Sequence, residues 1–126
     1  MTFDAVEPAD TRLTLLLVTG DADLRAVTAR VLTAGGYTVI TAAHSGHALL
    51  ACLTRRIDIL ISELELDEAP GRTLAATLRR HQPRLRAMYF ADAGTPAADG
   101  VIVRPFTRDD LFLELDAVGA SATSAS

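Results

Sequence analysis

With 126 residues, 49% of them hydrophobic, the chain has the length for one domain with a real core and a composition unlike that of a disordered segment. Its formal net charge of −4, with no basic stripe interleaved with aromatics, leaves no electrostatic case for nucleic acid or an anionic membrane as partner. The apolar runs fall short of the about 20 residues of a membrane span, and the acidic start lacks a signal peptide's basic and apolar regions.

Residues 1–12 read as an N-terminal extension. A first strand is expected at residues 13–18, a continuous apolar run of the kind found where helices cover both faces of a parallel sheet. Residues 21–34 follow as a helix with Leu24, Val27, Val31 and Ala34 on one face, Asp21 as its N-cap and Gly35-Gly36 as its stop. A second strand at 37–42 leads into a helix at 45–56, whose apolar stripe is Leu49, Cys52 and Leu53. Cys52 reads as a small buried hydrophobe, and a lone cysteine cannot close an internal disulfide, which fits a reducing cytoplasm.

The third strand is expected at 57–61 and is followed by a helix at 72–81 carrying Leu74, Ala75 and Leu78. The fourth strand, 87–91, turns Tyr89 and Phe90 to opposite faces, and the fifth is 101–103. A last helix at 107–118 presents Leu111, Phe112, Leu115 and Val118, with Thr107 as N-cap. The domain thus covers residues 13–118, and the small residues at 119–126 are expected to be a disordered tail. Between strands four and five, residues 92–100 are punctuated by Gly94, Pro96 and Gly100. A parallel connection with its helix needs roughly ten to twelve residues, so this one is expected to be a loop with at most one helical turn. Alternating strands and helices imply an α/β, flavodoxin-like, doubly wound sheet of five parallel strands in the order 2-1-3-4-5. Its switch point gathers the carboxyl ends of strands one and three, hence Thr19-Gly20 and Glu63.

Three segments at these strand ends form a pattern. Leu-Leu-Val-Thr-Gly-Asp-Ala-Asp-Leu-Arg over residues 16–25, Asp-Ile-Leu-Ile-Ser-Glu over 58–63 and Val-Arg-Pro-Phe over 103–106 together resemble the signature segments of response-regulator receiver domains. The resemblance extends over nearly all of residues 13–118, with Asp58 five residues before Glu63 and Gly71 at the family's downstream glycine. That family carries an acidic pair after the first strand, a phospho-accepting aspartate ending the third, a hydroxyl ending the fourth and a lysine before Pro-Phe. The resemblance places Thr19 and Gly20 at the acidic pair, Glu63 at the acceptor, Ala91 at the hydroxyl, Arg104 at the lysine and Val101 at the aromatic switch position. The short crossover falls where receivers have their fourth helix.

The substitutions change what the switch point can do. A receiver's magnesium ion prefers near-octahedral oxygen ligation from carboxylates and water. A threonine hydroxyl and a glycine hydrogen cannot replace two anionic ligands, so no metal and no cofactor are expected, and Asp21 reads as a helix cap. Glu63 has two readings. Its extra methylene carries a charge toward where acyl-phosphate oxygens would lie, a standing partial imitation of the phosphorylated state. Alternatively it is a product of drift that now balances a neighbour. Arginine's fork suits a carboxylate, and Glu63 with Arg104 is neutral without a metal, so a direct ion pair is expected.

Other polar residues carry weaker signals. His44, His47 and His81 have no acidic or cysteine partners at metal spacing and read as exposed helix-edge histidines. Arg79, Arg80, Arg84 and Arg86 cluster around Pro83 as a solvated helix end that an acidic partner could meet.

The function expected is that of a non-enzymatic, single-domain, receiver-like module in a two-component-type pathway, acting by phosphorylation-independent protein–protein interaction. Its partner would be a histidine kinase or another signalling protein, with no nucleic acid and no membrane, and its state a monomer or a homodimer of unusual geometry. No output domain is expected after Val118, and the last helix, with Phe112 and Leu113, is expected to be uncovered. Two alternatives stay open. One is a working phosphorelay receiver with an atypical acceptor, although Ser62 beside Glu63 points to the other face by strand alternation. The other is a flavin or nucleotide binder on the same fold, opposed by Asp21 and Asp23 at the helix N-terminus and by the lack of Gly-x-Gly-x-x-Gly.

Overall fold

A computed structural model describes residues 13–124, so the N-terminal extension expected at 1–12 lies outside the described residues. The elements are β1 (Thr14–Val18), α1 (Ala22–Ala34), β2 (Thr38–Ala42), α2 (Ser45–Thr54), β3 (Ile59–Glu63), α3 (Gly71–Arg79), β4 (Arg86–Ala91), β5 (Val101–Val103) and α4 (Arg108–Ser124). The strands form one parallel sheet in the order β2-β1-β3-β4-β5, as the alternation of elements requires.

The central strands lack polar alternation because both of their faces are covered. Leu16, Val18, Leu60 and Tyr89 meet Ala48 and Cys52 of α2 and Leu74 and Leu78 of α3 on one side. Leu15, Leu17, Ile59, Ile61, Met88 and Phe90 meet Leu32 of α1 and Leu111 and Leu115 of α4 on the other. Tyr89 and Phe90 therefore do face opposite ways. Each fully buried aliphatic side chain of this kind contributes roughly 1.5–3 kcal/mol. No helix among the described residues is long and apolar enough to cross a membrane.

Local signals fix the helix ends. The Asp21 carboxylate accepts from the Leu24 N–H at 3.0 Å, capping α1. Gly35 closes that helix, and Gly36 follows at φ 101°, a left-handed conformation that glycine adopts without strain. At α4, Thr107 and Asp110 cap each other reciprocally, the Thr107 Oγ1 accepting at 3.0 Å and the Asp110 Oδ2 accepting at 2.9 Å.

Several expectations need correction. On α1, Val27 and Ala34 are exposed and the buried positions are Thr28 and Leu32, while on α2 Leu53 is exposed beside buried Cys52. The third strand begins at Ile59 rather than 57 and continues through Ser62 and Glu63, because these pair with Val18 and Tyr89 and with Phe90. The last helix runs to Ser124, so residues 119–124 are helical where a disordered tail was expected. Extending a helix needs no new nucleus, and Ala-Ser-Ala-Thr-Ser contains no proline to stop it. His44 is not merely a helix-edge side chain: its Nδ1 accepts from the Gly46 N–H at 3.2 Å and the His47 N–H at 3.4 Å, capping α2.

Residues 92–100 contain no helix and pass from β4 to β5 as a loop, with Gly94 and Gly100 at φ 97° and 78°. The sheet face that a crossover helix would cover is protected in another way. The Arg72 guanidinium lies 5.0 Å from the centroid of the Tyr89 ring, and Tyr89 is buried, which pushes its phenol above the ordinary value despite Arg79 and Arg72. Ala87 and Val101 are left half-buried.

Candidate functional site

The carboxyl ends of β1, β3 and β5 converge where the strand order reverses, and each delivers one polar side chain. Thr19 follows β1 and is fully buried, Glu63 ends β3, and Arg104 follows β5. The peptide between Arg104 and Pro105 is cis. The backbone leaves little freedom here. A Cβ on Gly71 would lie 2.2 Å from the Glu63 carbonyl oxygen, and the Gly71 N–H donates to the Leu64 carbonyl at 2.7 Å. Only glycine fits at that point, and it holds the segment after β3 against the strand end.

Glu63 and Arg104 are in direct contact. The Arg104 Nη1 donates to Glu63 Oε1 at 3.0 Å, and Nη2 donates to the same oxygen. The fork thus converges on one oxygen instead of gripping both. The second oxygen, Oε2, accepts from the Thr19 hydroxyl at 2.7 Å. Thr19 Oγ1 in turn accepts from the Asp21 N–H at 3.1 Å, and the Thr19 carbonyl accepts from Arg25 Nη1 at 2.6 Å. The side chains of Glu63 and Arg104 are 15% and 30% exposed, so the pair is partly shielded from solvent.

These observations give each expected site residue a place. Thr19, Glu63 and Arg104 meet. Gly20 is exposed and brings no side chain. Ala91 ends β4, where its carbonyl accepts from the Arg104 N–H at 2.9 Å and its methyl offers no hydrogen bond. Val101 lies in register with Tyr89 and is half-buried against the core, away from the ion pair. Ser62 points to the opposite face, where its hydroxyl donates to the Glu63 carbonyl at 2.8 Å. Sequence reasoning did not find the donor role of Thr19, the Arg25 contact, or Thr95. Thr95 lines a shallow, open cleft beside the pair together with Glu63, Leu64, Glu65, Phe90, Ala91 and Asp92. Arg25 stood in the quoted Asp-Leu-Arg segment, but its target is a backbone carbonyl that only the fold brings near.

The magnesium ion that the resemblance to receivers implies does not fit these residues. The one carboxylate has both oxygens engaged by donors, and a guanidinium holds the side from which a cation would be drawn. The Asp21 carboxylate caps α1, and Asp92 lies exposed with its Oδ1 4.0 Å from Arg104 Nε. Among the described residues, no three His, Cys, Asp or Glu side chains are grouped so as to hold a metal.

No family model matches the chain. It is 30% identical over 111 residues to the transcriptional regulatory protein GlrR of Escherichia coli (strain K12), a match covering 81% of this chain and 25% of that protein. It is 32% identical over 126 residues to the sensor histidine kinase AruS of Pseudomonas aeruginosa, covering 86% of this chain and 12% of that one. The chain therefore spans a quarter or less of the curated relatives it matches. In structure it is similar to a response regulator receiver domain protein (CheY-like) from Methanospirillum hungatei JF-1, with a TM-score of 0.79 at 18% identity over 91% of this chain and 99% of that one.

Proposed function

We propose that the chain is a receiver-family module that signals by docking to a protein partner without passing through a phosphorylated state. One observation carries this reading: both oxygens of the carboxylate at the acceptor position are engaged, by Arg104 and by Thr19. Where a working receiver needs an exposed nucleophile and a metal, this chain has a neutral ion pair. The nearby hydroxyls are engaged as well, since Ser62 and Thr19 both donate to Glu63. A nucleotide or flavin phosphate at the start of α1 would meet the Asp21 carboxylate that already caps it. The module is read as non-enzymatic and cytoplasmic, working with a histidine kinase or another two-component protein as monomer or unusual homodimer.

Support for the docking surface comes from the edge left bare by the short crossover. Leu113 of α4 is 71% exposed, whereas Phe112 stacks on Tyr37 at 6.1 Å and lies under Arg108. The deciding experiment is incubation with acetyl phosphate and Mg²⁺ followed by intact-mass spectrometry. No gain in mass is expected. A stoichiometric, base-labile gain of one phosphate would overturn the reading. Replacing Thr19 and Gly20 by Asp together with Glu63→Asp should create Mg²⁺ binding by calorimetry that the parent lacks.

A further inference from the structure

The edge where the strands begin carries charge that the switch point does not use. All 12 basic residues of the chain are arginines. Arg55, Arg56, Arg79, Arg80, Arg84 and Arg86 lie on two adjoining segments, the exit of α2 and the connection from α3 to β4. Gln82 fastens these segments to one another. Its Nε2 donates to the carbonyls of Cys52 and Arg55, each at 2.7 Å, and its Oε1 accepts from the Ile57 N–H at 2.8 Å.

Among the described residues, little on this edge balances the positive charge. Asp58 is the carboxylate of the two segments, and it is occupied by the Thr14 N–H at 2.8 Å and by Arg56 at 3.6 Å. Arg79 is anchored through Nε to the Leu85 carbonyl at 3.0 Å. Arg55, Arg80 and Arg84 are exposed, and their side chains have no hydrogen bond or ion pair among the described residues. The buried Nε of Arg86 has no hydrogen-bond partner there either. Negative helix C-termini explain part of the arrangement, since α2 and α3 both end here. They do not explain Arg84, which stands beyond Pro83 on the loop. Beside the arginines, α2 exposes two leucines one turn apart, Leu50 at 61% and Leu53 at 55%.

We propose that this edge docks an acidic, leucine-bearing segment of a partner protein, its carboxylates on Arg55, Arg80 and Arg84 and its apolar side chains on Leu50 and Leu53. Arginine's planar fork takes carboxylates in paired hydrogen bonds, and Gln82 fixes the backbone of the two segments before any partner binds. A nucleic acid matches less well. The two segments contain no Phe, Tyr or Trp on which a base could stack, exposed leucines have no counterpart in a phosphate backbone, and the net charge of −4 supplies no long-range attraction. The proposal does not rest on the reading of Glu63 and Arg104.

The test uses a fluorescein-labelled 15-residue peptide of Glu-Glu-Leu repeats, followed by fluorescence anisotropy in 50 mM salt. Saturable binding is expected, with no binding of the same peptide carrying Gln for Glu or of a 20-base-pair DNA duplex. The paired change Arg80→Glu with Arg84→Glu should weaken binding about tenfold, and Leu50→Ser with Leu53→Ser about fivefold. Should the charge reversal disturb folding by circular dichroism, Arg84→Gln, at a side chain with no partner, should still weaken it about threefold. Equal binding of the Gln peptide, tighter binding of the DNA, or affinity unmoved by the arginine changes would each overturn the proposal.

Discussion

The two edges of the sheet treat charge in opposite ways. At the carboxyl edge, Glu63, Arg104, Thr19 and Arg25 satisfy one another, and the cluster is partly shielded from water. At the amino edge, Gln82 holds the backbone in place while the heads of Arg55, Arg80 and Arg84 have no partner among the described residues. Charges that neutralise each other inside a fold secure geometry, whereas charges left facing outward are available to another molecule. The contrast teaches that the edge matching a receiver's reactive site is the closed one, and the edge lacking that resemblance is the open one.

Substitutions can break this comparison, beginning with the largest effect. Gly71→Ala forces a Cβ against the Glu63 carbonyl and should cost about 3 kcal/mol in urea unfolding. An unchanged midpoint would mean that the backbone around the pair is not confined. Arg104→Ala leaves a partly shielded carboxylate with Thr19 alone and should cost about 1–2 kcal/mol after allowance for solvent screening. Adding Glu63→Gln to it should recover part of that loss, and strictly additive effects in the double-mutant cycle would remove the pair from any account of stability. At the open edge, by contrast, Arg80→Glu and Arg84→Glu should each shift stability by less than about 0.5 kcal/mol, since nothing in the fold depends on those heads.

The smallest effect concerns Glu68, near the closed edge. Its Oε2 accepts from the Ser45 N–H at 2.6 Å, and hydrogen bonding with Ser45 holds its carboxyl below the ordinary value. A depressed carboxyl pKa adds stability that is complete above the ordinary value of 4.5 and is lost as pH falls through the folded one. Glu68→Gln should therefore lower stability slightly at neutral pH and not at strongly acid pH, measured as thermal midpoints across an acid series. The same difference at every pH would assign the effect to packing.

Much of this was legible in the chain. Unbroken apolar runs such as Leu15–Leu16–Leu17–Val18 indicated strands covered on both faces, and Asp21 and Thr107 marked helix starts by short-range chemistry. The missing crossover helix followed from the few residues between Ala91 and Val101. What escaped detection depends on contacts distant in sequence. Thr19 donates to Glu63 and Gln82 reaches Cys52 only because the sheet and two helix ends bring them together. The convergence of both Arg104 nitrogens on one oxygen likewise depends on Thr19 already holding the other, which charge counting alone does not reveal. Leu53 read as part of a buried stripe with Leu49 and Cys52, but the helix turns it outward beside Leu50 and buries Ala48 together with Cys52.

The short β5 has a consequence for motion. It is three residues long and, among the described strands, paired only with β4, and Arg104 just beyond it reaches across β4 to the end of β3. Burial of Ile102 with Leu111 and Leu115 of α4 holds the middle of the outer strand, and a clasp of charge holds its end. An electrostatic clasp weakens with ionic strength far more than apolar packing does. Hydrogen exchange should find the amides of Val101–Val103 to be among the first in the sheet to open, and opening there should quicken as salt is raised while the amides of β1 hold steady.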